Sequence, residues 1–279
     1  MKSSRKPTVF RRSAKYAAMA LCVWLGGCTG ASSDQPTPEA AKRFLQLRGY
    51  DFDEQSFFRA AAAGDVMSVN GFISAGINVN AKNTDDDTAL TASAARGDAK
   101  IVEALLRGGA DVNAKGRNNW TALLLALSED HDLVTGALLA HPNTDFKAEH
   151  PEGMTALMLA VWHQREPVVE LILKRGGDVN HQDKDGDAAV HGAALYGNTR
   201  ILKLLLDGGA NPNVKNQLGG TALMWAAAYG HEEVVSVLLS RGADPKIRDV
   251  DGVTAAGWAA KNSRGSIELM LKAAERSRQ

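Results

Sequence analysis

The chain has 279 residues, of which 44% are hydrophobic and 23% charged, a composition that excludes a disordered, low-complexity or collagen-like protein. Lysine plus arginine equals aspartate plus glutamate at 32 each, so the overall balance does not point to a nucleic-acid binder. The two cysteines, Cys22 and Cys28, both lie close to the N-terminus, so the rest of the chain is held by packing and not by disulfides.

Every charged residue before position 28 is basic: Lys2, Arg5, Lys6, Arg11, Arg12 and Lys15. Without them 26 basic residues face 32 acidic ones, and the remaining chain is mildly acidic. Residues 17–25 are apolar, a run too short to span a membrane but suited to the centre of an export signal. Leu25-Gly26-Gly27-Cys28 resembles the lipobox of bacterial lipoproteins. The resemblance implies that residues 1–27 are removed and that Cys28 is lipidated. It also implies that Thr29, not being aspartate, sorts the protein to the outer membrane of a Gram-negative cell, facing the periplasm. Several acyl chains together hold stably where one binds only weakly. An ordinary cleaved signal with a chance cysteine is the alternative. Arg11-Arg12 only faintly resembles a twin-arginine signal, because Ser13-Ala14 follows.

Residues 28–38 have the composition of a flexible tether, with a root-mean-square reach of about 17 to 20 Å. Residues 39–49 are expected to form a capping helix. From residue 50 onward one period governs the chain. Thr88-Ala89-Leu90, Thr121-Ala122-Leu123, Thr155-Ala156-Leu157, Ala188-Ala189-Val190, Thr221-Ala222-Leu223 and Thr254-Ala255-Ala256 follow one another at 33 or 34 residues. A glycine stands two residues before the last four. Each triplet opens a short helical pattern and a glycine turn follows. A second pattern then carries apolar pairs four apart, such as Ile101 and Val102 with Leu105 and Leu106, which share one helical face. Gly109-Ala110-Asp111 and Gly242-Ala243-Asp244 supply the turn chemistry that ends the second helix.

These residues resemble the ankyrin repeat, whose pattern runs D-x-x-G-x-T-P-L-H-x-A-A-x-x-G-H before an apolar helix and G-A-D-V-N-A. The fold expected is an all-α repeat solenoid of about seven units, each a helix-turn-helix plus a β-hairpin finger, with degenerate terminal caps. The units fall at about 50–82, 83–115, 116–148, 149–181, 182–214, 215–247 and 248–279. No unit of this size buries its own apolar face, so neighbours must stack. Alanine replaces the T-P-L proline in each clear copy, and the histidine survives only as His191. In the third unit Ser128-Glu129-Asp130-His131 replaces the glycine turn and one residue is inserted within 140–151, so an irregular finger is expected.

Catalytic chemistry is missing from the motifs. There is no P-loop, no G-x-S-x-G, no H-E-x-x-H and no metal-spaced cysteine pair, and no enzyme activity, cofactor or metal is expected. His191 and His231 occupy positions where the repeat uses histidine structurally. Asp183 to Asp187 is not an EF-hand, since Gly186 comes at the fourth position instead of the sixth. A metal or enzymatic protein built on the finger histidines His141, His150 and His181 is the remote alternative.

What the resemblance implies instead is partner binding through finger tips and the exposed ends of the first helices. The matching positions are Trp120, Ser128 and Glu129, then Met154, Trp162 and His163, then Asp187, Leu195 and Tyr196, then Leu218, Gly220, Ala228 and Tyr229. The strongest contact candidates are Trp120, Met154, Trp162, His163, Leu195, Tyr196, Leu218 and Tyr229. The ends of the array are more polar, with Asp85, Asp87 and Arg96 in the second unit and Lys261 and Asn262 in the seventh. Trp162, Tyr196 and Tyr229 form either a binding strip or a cover for the helix-pair junctions. Trp225 and Trp258 are expected to face the core. The resulting expectation is a monomeric, lipid-anchored scaffold that binds another protein and no nucleic acid. An accessory or immunity-type role towards one envelope enzyme or toxin is the alternative.

Overall fold

Threonine caps open three of the first helices. In the computed structural model, which describes residues 36–277, the hydroxyls of Thr88, Thr121 and Thr254 accept from the backbone N–H groups of Thr91, Leu124 and Gly257, which starts the first helix of each of those units. Ala188 has no hydroxyl, and the bond there runs to His191, whose Nδ1 accepts from the Ala188 N–H at 2.9 Å.

A leading helix, α1 (Pro38–Leu47), is followed by seven helix pairs. They are α2 (Glu54–Ala62) and α3 (Val66–Ser74), α4 (Ala89–Ala95) and α5 (Ala99–Arg107), α6 (Ala122–Ser128) and α7 (Asp132–Ala140), and α8 (Ala156–Trp162) and α9 (Glu166–Lys174). Then come α10 (Ala189–Leu195) and α11 (Thr199–Asp207), α12 (Ala222–Tyr229) and α13 (Glu232–Ser240), and α14 (Ala255–Lys261) and α15 (Gly265–Ser277). No helix among the described residues is long and apolar enough to cross a membrane.

The core is one continuous stack. The second helices bury their apolar pairs, among them Ile101, Val102 and Leu105 or Ile201, Leu202 and Leu205. The first helices bury alanines, such as Ala122, Ala126, Ala222, Ala226 and Ala227, whose small side chains let neighbouring helices approach closely. The expected finger hairpins shrink to single antiparallel bridges, Lys82 with Thr88, Lys115 with Thr121, Glu149 with Thr155 and Gln182 with Ala188.

A ladder of asparagines joins the finger bases. Asn80 accepts from the Asp111 N–H, Asn113 from Asp145, Asn180 from Asn211 and Asn213 from Asp244, all at 2.7 to 2.9 Å. The amides of Asn113, Asn180 and Asn213 also donate to carbonyls of the next unit. The third unit carries Lys147 at this position, and its finger is irregular. The inserted residue displaces the backbone N–H that elsewhere returns to the second helix, as Ala110 does to Leu105. The hydroxyl of Thr144 bonds the Leu138 carbonyl at 2.6 Å instead. Arg175 of the next unit reaches back to the carbonyls of Leu139, His141 and Pro142, supplying the cross-unit donors that the ladder lacks here.

The turn between paired helices needs a left-handed residue. Gly97, Gly197 and Gly230 provide it, but Asp130, Gln164 and Ser263 adopt φ of 62°, 55° and 58°, a conformation that costs a residue with a side chain about 1 kcal/mol. Gln164→Gly is therefore expected to raise unfolding stability by about 0.5 to 1 kcal/mol, measured by urea denaturation. Arg175→Met removes the donor to the Leu139 and Pro142 carbonyls, while that of His141 keeps the Thr144 hydroxyl, and should lower stability by about 1 to 3 kcal/mol in the same assay.

Candidate interaction surface

The turns that end the first helices set out the candidate contact residues. Trp162 closes α8 and Tyr196 follows α10, one unit further on. Their rings meet edge to face at 5.4 Å and 90°, a favoured aromatic geometry, while Trp162 stays 49% and Tyr196 36% exposed. Burial pushes the Tyr196 phenol above its ordinary value, so at neutral pH it remains a hydroxyl donor. His163 and Leu195 beside them are half-buried, and the Leu195 carbonyl accepts from His231 Nε2 at 3.0 Å.

A second aromatic group lies one unit on. Tyr229 is 52% exposed and sits between Trp225, with ring centroids 6.1 Å apart, and His231, at 6.4 Å. Leu218 stands out from its finger at 67% exposure, in a turn closed by the Asn216 side chain, which accepts from the Leu218 and Gly220 N–H groups. The remaining candidates lie elsewhere. Trp120 is half-buried and stacked on His150 at 4.9 Å, and Met154 packs against the core.

The structure corrects the placement of Trp225 and Trp258. Both are half-buried, not core residues, and they line a groove of about 460 Å³ with Leu218, Met224, Tyr229 and Asn262. The reason is helical geometry. In α12 the buried positions are Ala222, Leu223, Met224, Ala226 and Ala227, which leaves Trp225 at the edge of the buried face. Ala92, Leu125 and Gly192 occupy the same position in other units and are half-buried as well. The flanking alanine pairs were the available signal: they mark the packed face, and the residue just before them faces the groove.

Asp249 anchors one wall of this groove. Its Oδ2 accepts from the Trp258 indole at 2.8 Å, and Oδ1 accepts from the Asp251 and Val253 N–H groups. Burial alone would push this carboxyl up, but those bonds and the Lys261 charge together hold it below the usual carboxylate range. Lys261 lies 4.9 Å over the Trp258 ring.

The histidines are occupied with backbone. His131 and His231 each face a carbonyl of the preceding unit through Nε2, those of Ala95 and Leu195, while His181 and His191 face carbonyls of their own units, those of Gly153 and Val214. His150 Nδ1 accepts from the Glu152 N–H, and His141 Nδ1 from that of Asn143. Among the described residues no three His, Cys, Asp or Glu side chains converge as a metal site. Asp183 is likewise committed, closing its finger by accepting from the Asp185 and Asp187 N–H groups.

A stack of helix pairs with short fingers and an outward-facing aromatic surface defines a repeat protein of the interaction class. The family model for ankyrin repeats matches residues 57–150, 111–183 and 190–278, and the chain belongs to the ankyrin repeat family. It is similar to the crystal structure of the ankyrin repeat domain of Bcl-3, described as a unique member of the IkappaB protein family. That likeness has 28% identity and a TM-score of 0.66, over 77% of this chain and 97% of that one. It is also similar to an ankyrin repeat domain from Acinetobacter baumannii AYE, with 26% identity and a TM-score of 0.61, over 66% of this chain and 96% of that one.

His191 makes the fold sensitive to pH. Burial pushes its imidazole below the ordinary histidine value, against the opposing pull of the Asp187 carboxylate 3.4 Å away. The neutral ring is also the form that accepts from the Ala188 N–H. Because the unfolded chain takes up this proton first, the stability contributed is complete above the unfolded value of about 6.5 and is lost as pH falls from there towards the folded value. Burial raises Asp187, which acts in the opposite sense in the more acidic range where carboxylates titrate. The urea midpoint should therefore drop between about pH 7.5 and 5.5, and His191→Gln should flatten that slope while lowering stability at pH 7.5.

Proposed function

We propose that this protein is a lipid-anchored scaffold of the bacterial envelope that binds another protein through one face of its ankyrin solenoid and performs no catalysis itself. The observation that carries the reading is the Trp162–Tyr196 pair, two large rings packed on each other yet left open to solvent. Tryptophan and tyrosine in this setting dominate interface energetics, each costing about 2 kcal/mol or more when truncated. Tyr229 and Leu218 extend the surface, and His163 and Leu195 border it. Trp120 and Met154 contribute at its margin.

Anchoring rests on the sequence alone, since the lipobox and Cys28 lie outside the described residues. Lipid on Cys28 would hold a monomeric solenoid close to the outer membrane on its periplasmic side, by a tether of residues 28–38. Nothing in the structure adds support to the metal or enzymatic alternative, since among the described residues no three His, Cys, Asp or Glu side chains converge around the finger histidines.

Two measurements test the proposal. Cross-linked native protein purified from envelope extract is expected to carry a specific partner that is lost from a correctly folded Trp162→Ala, Tyr196→Ala, Tyr229→Ala variant. Retention of the same partner by that variant would move the binding surface elsewhere. Cys28→Ala is expected to shift the protein from the membrane to the soluble fraction, and unchanged fractionation would remove the anchor.

A further inference from the structure

The groove between the sixth and seventh units has a chemistry that the Trp162–Tyr196 surface lacks. Two indoles 33 residues apart, Trp225 and Trp258, form its walls, and Leu218 and Tyr229 stand at its edge. Its volume of about 460 Å³ is that of pockets which enclose most of a small ligand or a few residues of peptide. The Trp225 Nε1–H is screened from water and has no acceptor, an arrangement that is costly for a buried donor.

The lining of this groove carries one cation, Arg264, and one carboxylate, Asp249, and Lys261 beside the lining adds a second cation. Arg264 lines it, with its guanidinium over Gly230 and without an ion-pair partner among the described residues. Lys261 spreads its ammonium over the Trp258 ring. The carboxylate lining the groove is that of Asp249, and its oxygens already accept from the Trp258 indole and two backbone N–H groups. Two cations at an aromatic slot favour an apolar occupant that brings negative charge with it.

We propose that this groove receives a segment of the partner protein in which a leucine or aromatic side chain lies next to a carboxylate. The apolar side chain enters between the two indoles and the carboxylate meets Arg264 and Lys261 at the rim. A main-chain carbonyl of the segment accepts from Trp225 Nε1 as the wall side chains shift to admit it. The assignment rests on the reading of this solenoid as a partner-binding scaffold and narrows that reading to the chemistry of the partner. A basic segment would meet two like charges, and a small polar one would leave the slot unfilled.

The test titrates the purified chain with three blocked hexapeptides, read by tryptophan fluorescence. One has a leucine-phenylalanine centre flanked by aspartates, one has the same centre flanked by lysines, and one has an alanine-alanine centre flanked by aspartates. The first is expected to bind with a Kd of about 1 mM or lower, at least about tenfold tighter than the other two, and to weaken in 1 M salt, where charges are screened beyond about 3 Å. Arg264→Glu, on the exposed surface, should abolish or reverse the preference for aspartate flanks. Trp258→Ala should remove binding of the first peptide while the far-ultraviolet circular dichroism stays that of the native chain. Trp225→Phe, which removes the indole N–H together with one ring of the side chain, should weaken the first peptide severalfold.

Equal affinity for acidic and basic flanks overturns the proposal, as does no binding of the first peptide up to about 5 mM or a preference untouched by Arg264→Glu. The two readings fail separately. A captured partner that survives both Arg264→Glu and Trp258→Ala removes this groove assignment and leaves the scaffold reading in place. The expected peptide preference with no partner captured from envelope extract does the reverse.

Discussion

A helix pair of some 33 residues has an apolar face it cannot cover by itself, and every other feature of this protein answers to that constraint. The second helices present valine, isoleucine and leucine on a face that only the next pair can bury, and the first helices present alanine so that the next pair can come close enough. The same dependence on neighbours appears in the polar structure. The Asn80, Asn113, Asn180 and Asn213 side chains reach forward one unit, and the His131 and His231 rings reach back one. Cross-unit ion pairs such as Arg200 with Glu166 and Arg241 with Asp207 lie on the exposed surface and add little to these contacts.

How far the structure could be read from the sequence followed how local the signal was. Helix pairs, caps and glycine turns were legible because each is written within a few residues and then repeated. The extra residue in the third unit was legible for the same reason. Its repair was not: Arg175 lies more than thirty residues from the carbonyls it satisfies, and an arginine near a helix end reads as ordinary solvation. Trp225 and Trp258 were misplaced because tryptophan in an apolar helix suggests the core, whereas a one-residue step around the helix sets them on the edge. Repeat spacing assigns the candidate contact residues position by position, and whether two of them touch depends on side-chain geometry that the spacing does not contain. Hence the Trp162–Tyr196 ring contact and the separate Tyr229–Trp225 stack emerged only from the structure.

The candidate surface uses the stack as a ruler. Because its residues sit at the ends of helices packed into one continuous core, their spacing is set before any partner arrives, and little ordering is needed on binding. The surface is not uniform along that ruler. Its middle offers exposed rings with few charges, and its far end offers a slot with two cations, so a partner laid along it would be read differently at each unit.

The irregular third finger also sets where the array is least uniform in energy. In a one-dimensional stack the cooperativity of unfolding depends on the strength of each successive interface. The asparagine ladder makes most of those interfaces alike, with uncharged donors and acceptors. At the junction spanned by Arg175 the ladder is replaced by one charged side chain fanned over three carbonyls. Arg165, bonded to Asp130 and Asp132, and the continuous apolar core also cross this junction, so Arg175 tunes the coupling of the two sides and does not carry it alone. The junction separates an N-terminal block of three pairs from a C-terminal block of four, and the latter carries both Trp162 with Tyr196 and the indole groove.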